Sequence, residues 1–253
     1  MFLKLLKGKK LLIALFYVII KLMKFDIITI FPKIFSAKGG SYLNESILKR
    51  AQKNKLIQIK IHNLRDFTKD KHRKVDDRPY GGGPGMVFKI EPLIKAISSI
   101  LRIQNLKLRI KKKIKVILFS PSGKQFDNKM AANLSKNYNQ LILISGRYEG
   151  IDARIKKVLY DSGFKIQEIS IGHYVLTGGE LPAMVLIDAI SRQIPGVLGK
   201  KESLEEKGHG IGVPVYTRPE EFIYKGKKYK VPKVLLSGDH KKIEKWLNKK
   251  TNR

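Results

Sequence analysis

The sequence lacks cysteine, and it contains no apolar run long enough to cross a membrane comfortably. Without cysteine the chain forms no disulfides and no zinc or iron–sulfur site with cysteine ligands. The longest apolar run near the N-terminus, Leu11 to Ile20, is only half the length of a transmembrane helix. No G-x-x-x-x-G-K-[ST] loop is present, and no G-x-G-x-x-G follows a predicted strand. An ordinary P-loop or dinucleotide-binding fold is therefore not supported.

Acidic residues are scarce: 21 Asp and Glu accompany 52 Lys and Arg, which gives a formal net charge of +31. Such an excess favours a polyanionic partner, either a nucleic acid or an anionic membrane surface. Lys, Ile and Asn are abundant together, as an AT-rich genome would give, so compositional drift accounts for part of the charge. The 253 residues, 43% of them hydrophobic, suffice for one large domain or for a domain with an appendage.

Residues 1–22 form a basic and apolar leader that precedes the first predicted strand, Phe25 to Phe31. Lysines flank its apolar run, but no small-residue cleavage site follows before Phe25, so it is not a typical signal peptide. Met23 offers a second possible start. Two interpretations stand: a dispensable leader, which we favour, and an anchor on a membrane surface.

The stretch from Glu168 to Gly199 is the most informative part of the chain. A strand is predicted from Ile166 to Ile171, and the aliphatic residues Val175 and Leu176 also suit a strand that is buried on both faces. The Gly178-Gly179 pair then allows a close backbone approach, and an apolar helix is expected from Glu180 until Pro195 stops it. This order of elements is typical of a ligand platform, although a plain core βα unit has the same pattern.

Predicted strands alternate with predicted helices along residues 25–194, which indicates an α/β fold with a parallel sheet. Three of these strands end in short ligand-compatible turns: SPSG at Ser120, SGRYEG at Ser145 and LTGG at Leu176. In open α/β sheets ligands lie at the carboxyl ends of the strands. The three turns together therefore predict one binding pocket.

A long polar loop, Asp66 to Gly85, is the second candidate binding element. Its glycines allow the backbone to fold tightly over a ligand, and its arginines suit phosphates. Disorder is the alternative for a loop of this length. Further along the chain, residues 200–213 are predicted to be a linker, and residues 214–253 a small basic appendage that ends in a helix from Lys241 to Lys249.

Several long motifs resemble those of the bacterial tRNA (guanine-N1)-methyltransferases of the knotted type. The similarity covers Lys24 to about Trp246 in the family's order. The motifs are DDRPYGGGPGM at Asp76, SPSG at Ser120, GRYEGIDARI at Gly146, SIGHYVLTGGELPAM at Ser170, IPGVLG at Ile194, PVYTRPEEF at Pro214 and VPKVLLSGDHKKIEKW at Val231.

This resemblance implies an α/β catalytic domain with a deep trefoil knot, of the SPOUT class, over residues 23–199. Residues 214–253 would then be a shortened C-terminal tRNA-binding domain. The family members are cytoplasmic homodimers with shared active sites, and no membrane partner is obligatory. The implied reaction transfers a methyl group from S-adenosyl-L-methionine to N1 of the guanine just 3′ of the anticodon, tRNA position 37, which prevents frameshifts.

The resemblance also assigns residues. We assign tRNA contacts to the polar loop. The predicted donor-binding residues are Ser120, Pro121, Gly146, Tyr148, Glu149, Ile171, Gly172, His173, Tyr174, Val175, Leu176, Gly178 and Gly179; the predicted tRNA-binding residues are Asp77, Arg78, Tyr80, Gly81, Gly82 and Gly83.

The chemistry requires a base, because guanine N1 carries a proton at neutral pH and is a poor nucleophile until that proton leaves. An arginine would stabilise the charge that then spreads to O6. The resemblance assigns this arginine as Arg192, although an i,i+4 pair with Asp188 is the alternative. The family's base aligns with Lys207, so Glu206 is the first candidate base and Glu205 the second. A solvated charge cluster is the alternative for both acids.

Three departures from the family pattern leave a second function open. His173 stands where an aspartate is usual, a lysine occupies the base position, and the chain stops shortly after Trp246. Mg²⁺ is implicated in family turnover, but no ligand cluster for it is visible in the sequence. The alternative function is a catalytically degenerate RNA-binding protein of the same fold.

Overall fold

The computed structural model describes residues 22–36, 41–102, 113–199 and 212–251. It divides into two compact units, Met1–Val197 and Leu198–Arg253. Across the described ranges, no helix has the length and apolar character needed to cross a membrane. The apolar run Leu11 to Ile20, and therefore the choice between leader and anchor, lies outside these ranges.

The first unit is built on a sheet of five parallel strands, each rich in aliphatic residues. Its strands are β1 (Met23–Thr29), β2 (Ile57–Asn63), β5 (Ile114–Gln125), β6 (Gln140–Ile144) and β7 (Ile166–Ser170). Their order in the sheet is β2-β1-β6-β5-β7. Every residue of β6 is buried, as expected for a strand that lies between neighbours and under helices on both faces. A small antiparallel pair, β3 (Asp76–Asp77) with β4 (Val87–Phe88), lies outside this sheet.

Helices cover both faces of the sheet, which gives three layers and two hydrophobic clusters. They are α1 (Lys33–Ser36), α2 (Ser46–Lys53), α3 (Ile90–Arg102), α4 (Asn128–Asn137), α5 (Arg154–Asp161) and α6 (Glu180–Arg192), with short 3₁₀ helices at Tyr42–Asn44 and Leu64–Phe67. Side chains alternate along β1: Phe25 and Ile27 join the cluster that contains α2, α4 and α6, whereas Ile28 joins the cluster that contains α3 and α5. The predicted parallel α/β fold is confirmed.

The strand predicted from Ile166 to Ile171 is confirmed as β7, which ends at Ser170. The expectation that Val175 and Leu176 also belong to a buried strand is wrong, and Val175 is 81% exposed in the loop that follows. The physical reason is that β7 is an edge strand: within the described part of the chain it pairs with β5 alone, and β5 ends opposite Ser170. The apolar residues beyond that point therefore meet no further strand among those described.

The SPSG segment is not a turn that ends a strand. The strand β5 continues through it to Gln125 and pairs with β7 on both sides of a register shift between Phe119 and Lys124. Such an irregularity bends a strand locally. Gly123 is required at the bend, since a Cβ there would lie 2.6 Å from the backbone nitrogen of Ile169.

The second unit consists of a hairpin and two helices. The hairpin pairs β8 (Glu221–Tyr224) with β9 (Lys227–Lys230), and the helices are α7 (Lys233–Leu236) and α8 (His240–Thr251). Helix α8 confirms the basic helix predicted from Lys241. The rings of Tyr216 and Trp246 approach to 6.4 Å between centroids, which fixes the segment before the hairpin against α8.

Candidate functional site

A cavity of about 430 Å³ opens at the carboxyl ends of β5, β6 and β7. This volume lies within the range of small-molecule sites. Its walls come from residues 118–121 of β5, residues 168–170 of β7, residues 146–151 after β6 with Ala153, Ile155 and Lys156, and most of the loop 171–179 between β7 and α6. Because the strands are parallel, these segments meet at one edge of the sheet, where ligands bind in open α/β folds.

The predicted donor-binding residues fall along this cavity with one exception. Twelve of the thirteen line it, and only His173 does not. The twelve are Ser120, Pro121, Gly146, Tyr148, Glu149, Ile171, Gly172, Tyr174, Val175, Leu176, Gly178 and Gly179. The three motifs therefore line one cavity, although two of them are not strand-end turns, and their contact with a donor stays a prediction.

The glycine pair before α6 is packed directly against the end of β6. Gly179 N donates to the carbonyl of Gly146 at 2.9 Å, and Ser145 Oγ donates to the carbonyl of Gly179 at 3.2 Å. A Cβ on Gly179 would lie 2.7 Å from Ser145 Cα, so a larger residue would have to move backbone. The absence of a side chain at this position thus lets two cavity walls touch.

A buried ion pair holds the same two walls together. Arg147 Nε lies 2.9 Å from Glu180 Oε2, and the residue Glu180 is only 2% exposed. The other carboxylate oxygen of Glu180 accepts a hydrogen bond from Thr29 Oγ1 at 2.9 Å. The guanidinium also lies 4.8 Å from the ring centroid of Phe31, a favourable cation–π distance. Sequence reasoning missed this pair because its members are 33 residues apart.

A second ion pair lies in the cavity wall, between Lys156 Nζ on α5 and Glu168 Oε1 on β7, at 2.6 Å. Neither residue was a predicted site residue. The pair presents one positive and one negative group to whatever the cavity holds. From the sequence, Lys156 was recognisable only as a surface lysine. Its contact with Glu168 depends on the packing of α5 against β7.

The glycine-rich loop is joined to the turn that follows β6. Glu149 N donates to the carbonyl of Met86 at 3.1 Å, and Phe88 N donates to the carbonyl of Gly150 at 3.0 Å. Gly85 lies against the carboxylate of Glu149, where a Cβ would approach Oε1 to 2.6 Å. The loop that is predicted to contact tRNA and the wall of the cavity therefore form one hydrogen-bonded assembly.

The predicted tRNA-binding residues lie on this loop, outside the cavity lining. Tyr80 is fully exposed, and the three glycines after it have positive φ values that favour glycine. Asp77 Oδ2 lies 3.1 Å from Lys89 Nζ. A hydrogen bond from the backbone N–H of Arg78, followed by the Lys89 ammonium, lowers the pKa of the Asp77 carboxyl. The tip of the loop, Asp77, Arg78, Tyr80, Gly81, Gly82 and Gly83, thus remains accessible to a large partner.

Arg192 lies at the opposite end of α6 from the cavity. The helix touches the cavity at Pro182, and ten residues of α-helix separate that point from Arg192 by about 15 Å. Beside Arg192, Tyr42 Oη donates to Asp188 Oδ2 at 2.8 Å. Burial and then this carboxylate raise the pKa of Tyr42, and the positive charge of Arg192 opposes them. One chain alone therefore does not bring Arg192 to its own cavity.

The two candidate bases, Glu205 and Glu206, lie outside the described residues, so their roles stay predictions. In the part of the chain that the structure describes, no group of three or more His, Asp or Glu is placed to hold a metal ion.

Comparison with known proteins gives one consistent result. The family model described as tRNA (Guanine-1)-methyltransferase TrmD matches residues 23–253. Proteins named tRNA (guanine-N(1)-)-methyltransferase are similar over most of their length. That of Dictyoglomus turgidum is 50% identical over 231 residues, 90% of this chain and 84% of the relative. That of Ruminiclostridium cellulolyticum is 51% identical over 227 residues, 88% and 89% of the two chains.

A third relative with the same name, from Carboxydothermus hydrogenoformans, is 46% identical over 232 residues, 90% of this chain and 83% of its own. Identity at this level over nearly whole chains, together with the match to the family model, confirms the resemblance that the motifs indicated. The chain belongs to the tRNA (guanine-1)-methyltransferase TrmD family.

Proposed function

We propose that this chain transfers a methyl group from S-adenosyl-L-methionine to N1 of guanine in tRNA, at position 37 next to the anticodon. The observation that supports this most directly is the single cavity lined by the three family motifs. The family assignment supplies the class of reaction and the class of substrate. The action on tRNA implies work in the cytoplasm, where this substrate is made and used.

The cavity suits a donor of this kind. Its volume of about 430 Å³ is in the range that encloses a molecule of drug size. Backbone at Gly146, Gly178 and Gly179 allows close approach, while Pro121 and Leu176 provide apolar walls. The Lys156–Glu168 pair offers an ammonium to the carboxylate of the donor's amino-acid group and a carboxylate to its ammonium. S-adenosyl-L-methionine supplies a methyl group on a sulfonium and leaves as the neutral thioether S-adenosyl-L-homocysteine.

The protein's own task is then to prepare the guanine. Glu206, or in its place Glu205, removes the N1 proton, so that the lone pair on N1 is available to accept the methyl group. Arg192 stabilises the negative charge that moves onto O6. The proton ends on the glutamate and passes to water.

We further propose a homodimer in which Arg192 serves the cavity of the second copy. The separation of about 15 Å along α6 supports this, because it is too long for an arginine side chain to cross within one chain. The trefoil knot of the family is proposed for residues 23–199 on the basis of the family assignment. The exposed tip of the loop at Tyr80 and the basic residues 214–253 are proposed to hold the tRNA.

The test is methyl transfer by the full chain from labelled S-adenosyl-L-methionine to two tRNA transcripts that differ only in guanine or adenine at position 37. Nuclease digestion and mass spectrometry then identify the product. We expect 1-methylguanosine from the first transcript only. Label in neither transcript, with and without added Mg²⁺, while tRNA still binds, would instead support the degenerate RNA-binding alternative.

Two sets of variants test the assigned residues. Glu206→Gln is expected to abolish transfer and Glu205→Gln to preserve it; the reverse result would move the base to Glu205. For the shared site, Arg192→Ala and Gly179→Ala are each expected to be inactive as homodimers. Heterodimers of the two variants would regain activity, because one of their two sites is intact. Failure to regain activity would contradict the shared site.

A further inference from the structure

The hairpin of the second unit has two different faces. In an antiparallel pair, residues directly opposite each other share a face. Phe222 is opposite Tyr229, and Tyr224 is opposite Lys227. The rings of Phe222 and Tyr224 are stacked, with 6.4 Å between centroids and an angle of 10° between planes. We call Phe222, Tyr224, Tyr229 and Lys227 the aromatic face.

The aromatic face is exposed to an unusual degree. Phe222, Tyr224 and Tyr229 are 57%, 54% and 53% exposed, respectively. Single apolar side chains on a surface are ordinary, but a contiguous group of three aromatic rings marks an interaction site. The three rings lie along one face of the hairpin, so a partner that binds there meets a continuous aromatic surface.

The opposite face shows what distinguishes the aromatic one. There the Glu221 carboxylate forms ion pairs with Lys228 and Lys230, both at 3.0 Å. The charges on this face therefore pair with one another. The neighbouring acid, Glu220, precedes β8, and its charge interacts with Lys230. At the turn, in contrast, Lys225 Nζ lies 5.5 Å from the ring centroid of Tyr224. Rings and ammonium groups therefore occur together on the aromatic face.

Aromatic rings beside positive charges indicate which kind of partner this face binds. Residues 212–251 contain eleven lysines and arginines but only four acids, and the whole chain carries +31. A second copy of the same chain would bring the same positive charge towards these lysines, whereas RNA brings phosphates. Aromatic side chains beside cations are the usual platform for unpaired bases, because every base has a π-face that can stack. A paired base inside a duplex does not offer that face.

We infer that the aromatic face stacks on unpaired bases of the RNA substrate, with Lys225 and Lys227 on the adjacent phosphates. The inference rests on the proposed function for the identity of the RNA as tRNA, whose loops supply unpaired bases. The expected loss on removing one stacking ring is about 5- to 100-fold in affinity. Removing a ring from the face should leave the donor cavity unchanged, because the cavity lining belongs to the other unit.

The experiment measures the affinity of the full chain for three probes: the tRNA transcript, an unstructured single-stranded RNA of twelve nucleotides, and a duplex of the same length. The test variant is Tyr224→Ala, and Tyr224→Phe is its conservative counterpart. Ile223→Ala is the matched control, since Ile223 is 59% exposed on the opposite face of the same strand. Thermal melting and donor affinity are measured for each variant.

We expect Tyr224→Ala to weaken binding of tRNA and of single-stranded RNA at least five-fold, and Tyr224→Phe and Ile223→Ala to leave both unchanged within two-fold. Duplex binding should be unaffected. Equal losses for Tyr224→Ala and Ile223→Ala, or no loss for either, would overturn the inference. So would a change in the molecular mass of the assembly on Tyr224→Ala, because that would identify the face as a contact between copies.

The result separates this inference from the proposed function. If Tyr224→Ala weakens RNA binding but the unsubstituted chain produces no 1-methylguanosine, the aromatic face is an RNA site and the proposed function fails. If the unsubstituted chain methylates tRNA and Tyr224→Ala leaves both the KM for tRNA and the affinity for single-stranded RNA unchanged, the proposed function stands and the aromatic face does not bind RNA. Phe222→Ala provides an independent repeat, with Phe222→Tyr as its conservative counterpart.

Discussion

The donor cavity and the C-terminal hairpin differ in where their charged groups lie: buried and paired at the cavity, exposed to solvent on the hairpin. At the cavity, the carboxylate of Glu180 is buried and held by Arg147 and Thr29, and the backbone of Gly179 packs against β6. On the hairpin, lysines and aromatic rings face solvent, and its ion pairs are exposed. We therefore propose that the cavity is a preorganised site for a small molecule and that the hairpin is an exposed surface for a large polyanion.

The two regions should therefore respond differently to substitution. A change at the cavity disturbs buried contacts, so it should lower both donor affinity and the stability of the fold. A change on the hairpin or on α8 should leave stability almost untouched and should alter RNA affinity through stacking and counterion release.

The largest effect is expected for Gly179→Ala. The new Cβ would lie 2.7 Å from Ser145 Cα, so one wall of the cavity has to move. We expect the Kd for S-adenosyl-L-methionine, measured by calorimetry, to rise by more than about 100-fold, which corresponds to roughly 3 kcal/mol. Gly199→Ala is the control, because a Cβ there meets nothing within 4 Å. An unchanged Kd for Gly179→Ala would show that the glycine contact does not shape the donor site.

The next largest effect is expected for Arg147→Met, which leaves the buried carboxylate of Glu180 without its cation. Breaking a buried pair in this way costs about 3–5 kcal/mol, and the partial exposure of Arg147 places this variant at the lower end of that range. Denaturant unfolding of the full chain measures the loss. Lys157→Met breaks an exposed pair with Asp161 and should cost less than about 1 kcal/mol. Similar losses for the two variants would contradict the distinction between buried and exposed pairs.

A smaller effect, confined to RNA binding, is expected for the double variant Lys241→Gln, Lys245→Gln on exposed positions of α8. If each lysine neutralises one phosphate, the slope of log K against log salt should become shallower by about 1.4–1.8. Titration of tRNA at several salt concentrations measures this slope, and the donor Kd should stay constant. A change in the donor Kd without a change in the salt slope would contradict this prediction, because the lysines would then act on donor binding and not on RNA binding.

The smallest effect is expected from the pH dependence of two aspartates, one in each compact unit. Hydrogen bonds from the Arg154 side chain lower the pKa of Asp152, and hydrogen bonds from Lys242 lower that of Asp239. A lowered pKa in the folded state stabilises the protein above the unfolded value of about 4, and the benefit disappears as the pH falls through the folded value. Asp152→Asn should therefore reduce Tm slightly at pH 7, and the reduction should shrink as the pH is lowered below about 4. Asp239→Asn should leave the Tm of the first unit unchanged throughout this pH range, and an equal reduction there would contradict the prediction.

The sequence was sufficient for the order of the five strands of the parallel sheet and of the longer helices that cover it, but it predicted neither the β3–β4 pair nor the hairpin of the second unit. Alternation of apolar segments predicts the parallel sheet because strand and helix periods differ. It was insufficient wherever a partner distant in sequence decides the outcome. The strand β5 passes through SPSG only because β7 pairs with it on both sides of the register shift, and Val175 is exposed because β7 has run out of partners.

The ion pair of Arg147 with Glu180 and the remoteness of Arg192 illustrate the same limit at the candidate site. Both residues of the pair belong to recognised motifs, but their contact depends on the loop after β6 meeting the start of α6. Arg192 was assigned from the motif that follows it, and only the length of α6 reveals that it lies about 15 Å from the cavity of its own chain.

A crystal structure of the full chain with S-adenosyl-L-methionine is the decisive measurement for the proposed donor site. We expect electron density for the donor inside the cavity, in contact with Pro121, Tyr148 and Leu176. Density for the donor at any other place on the chain, with this cavity empty at a saturating concentration, would contradict this expectation.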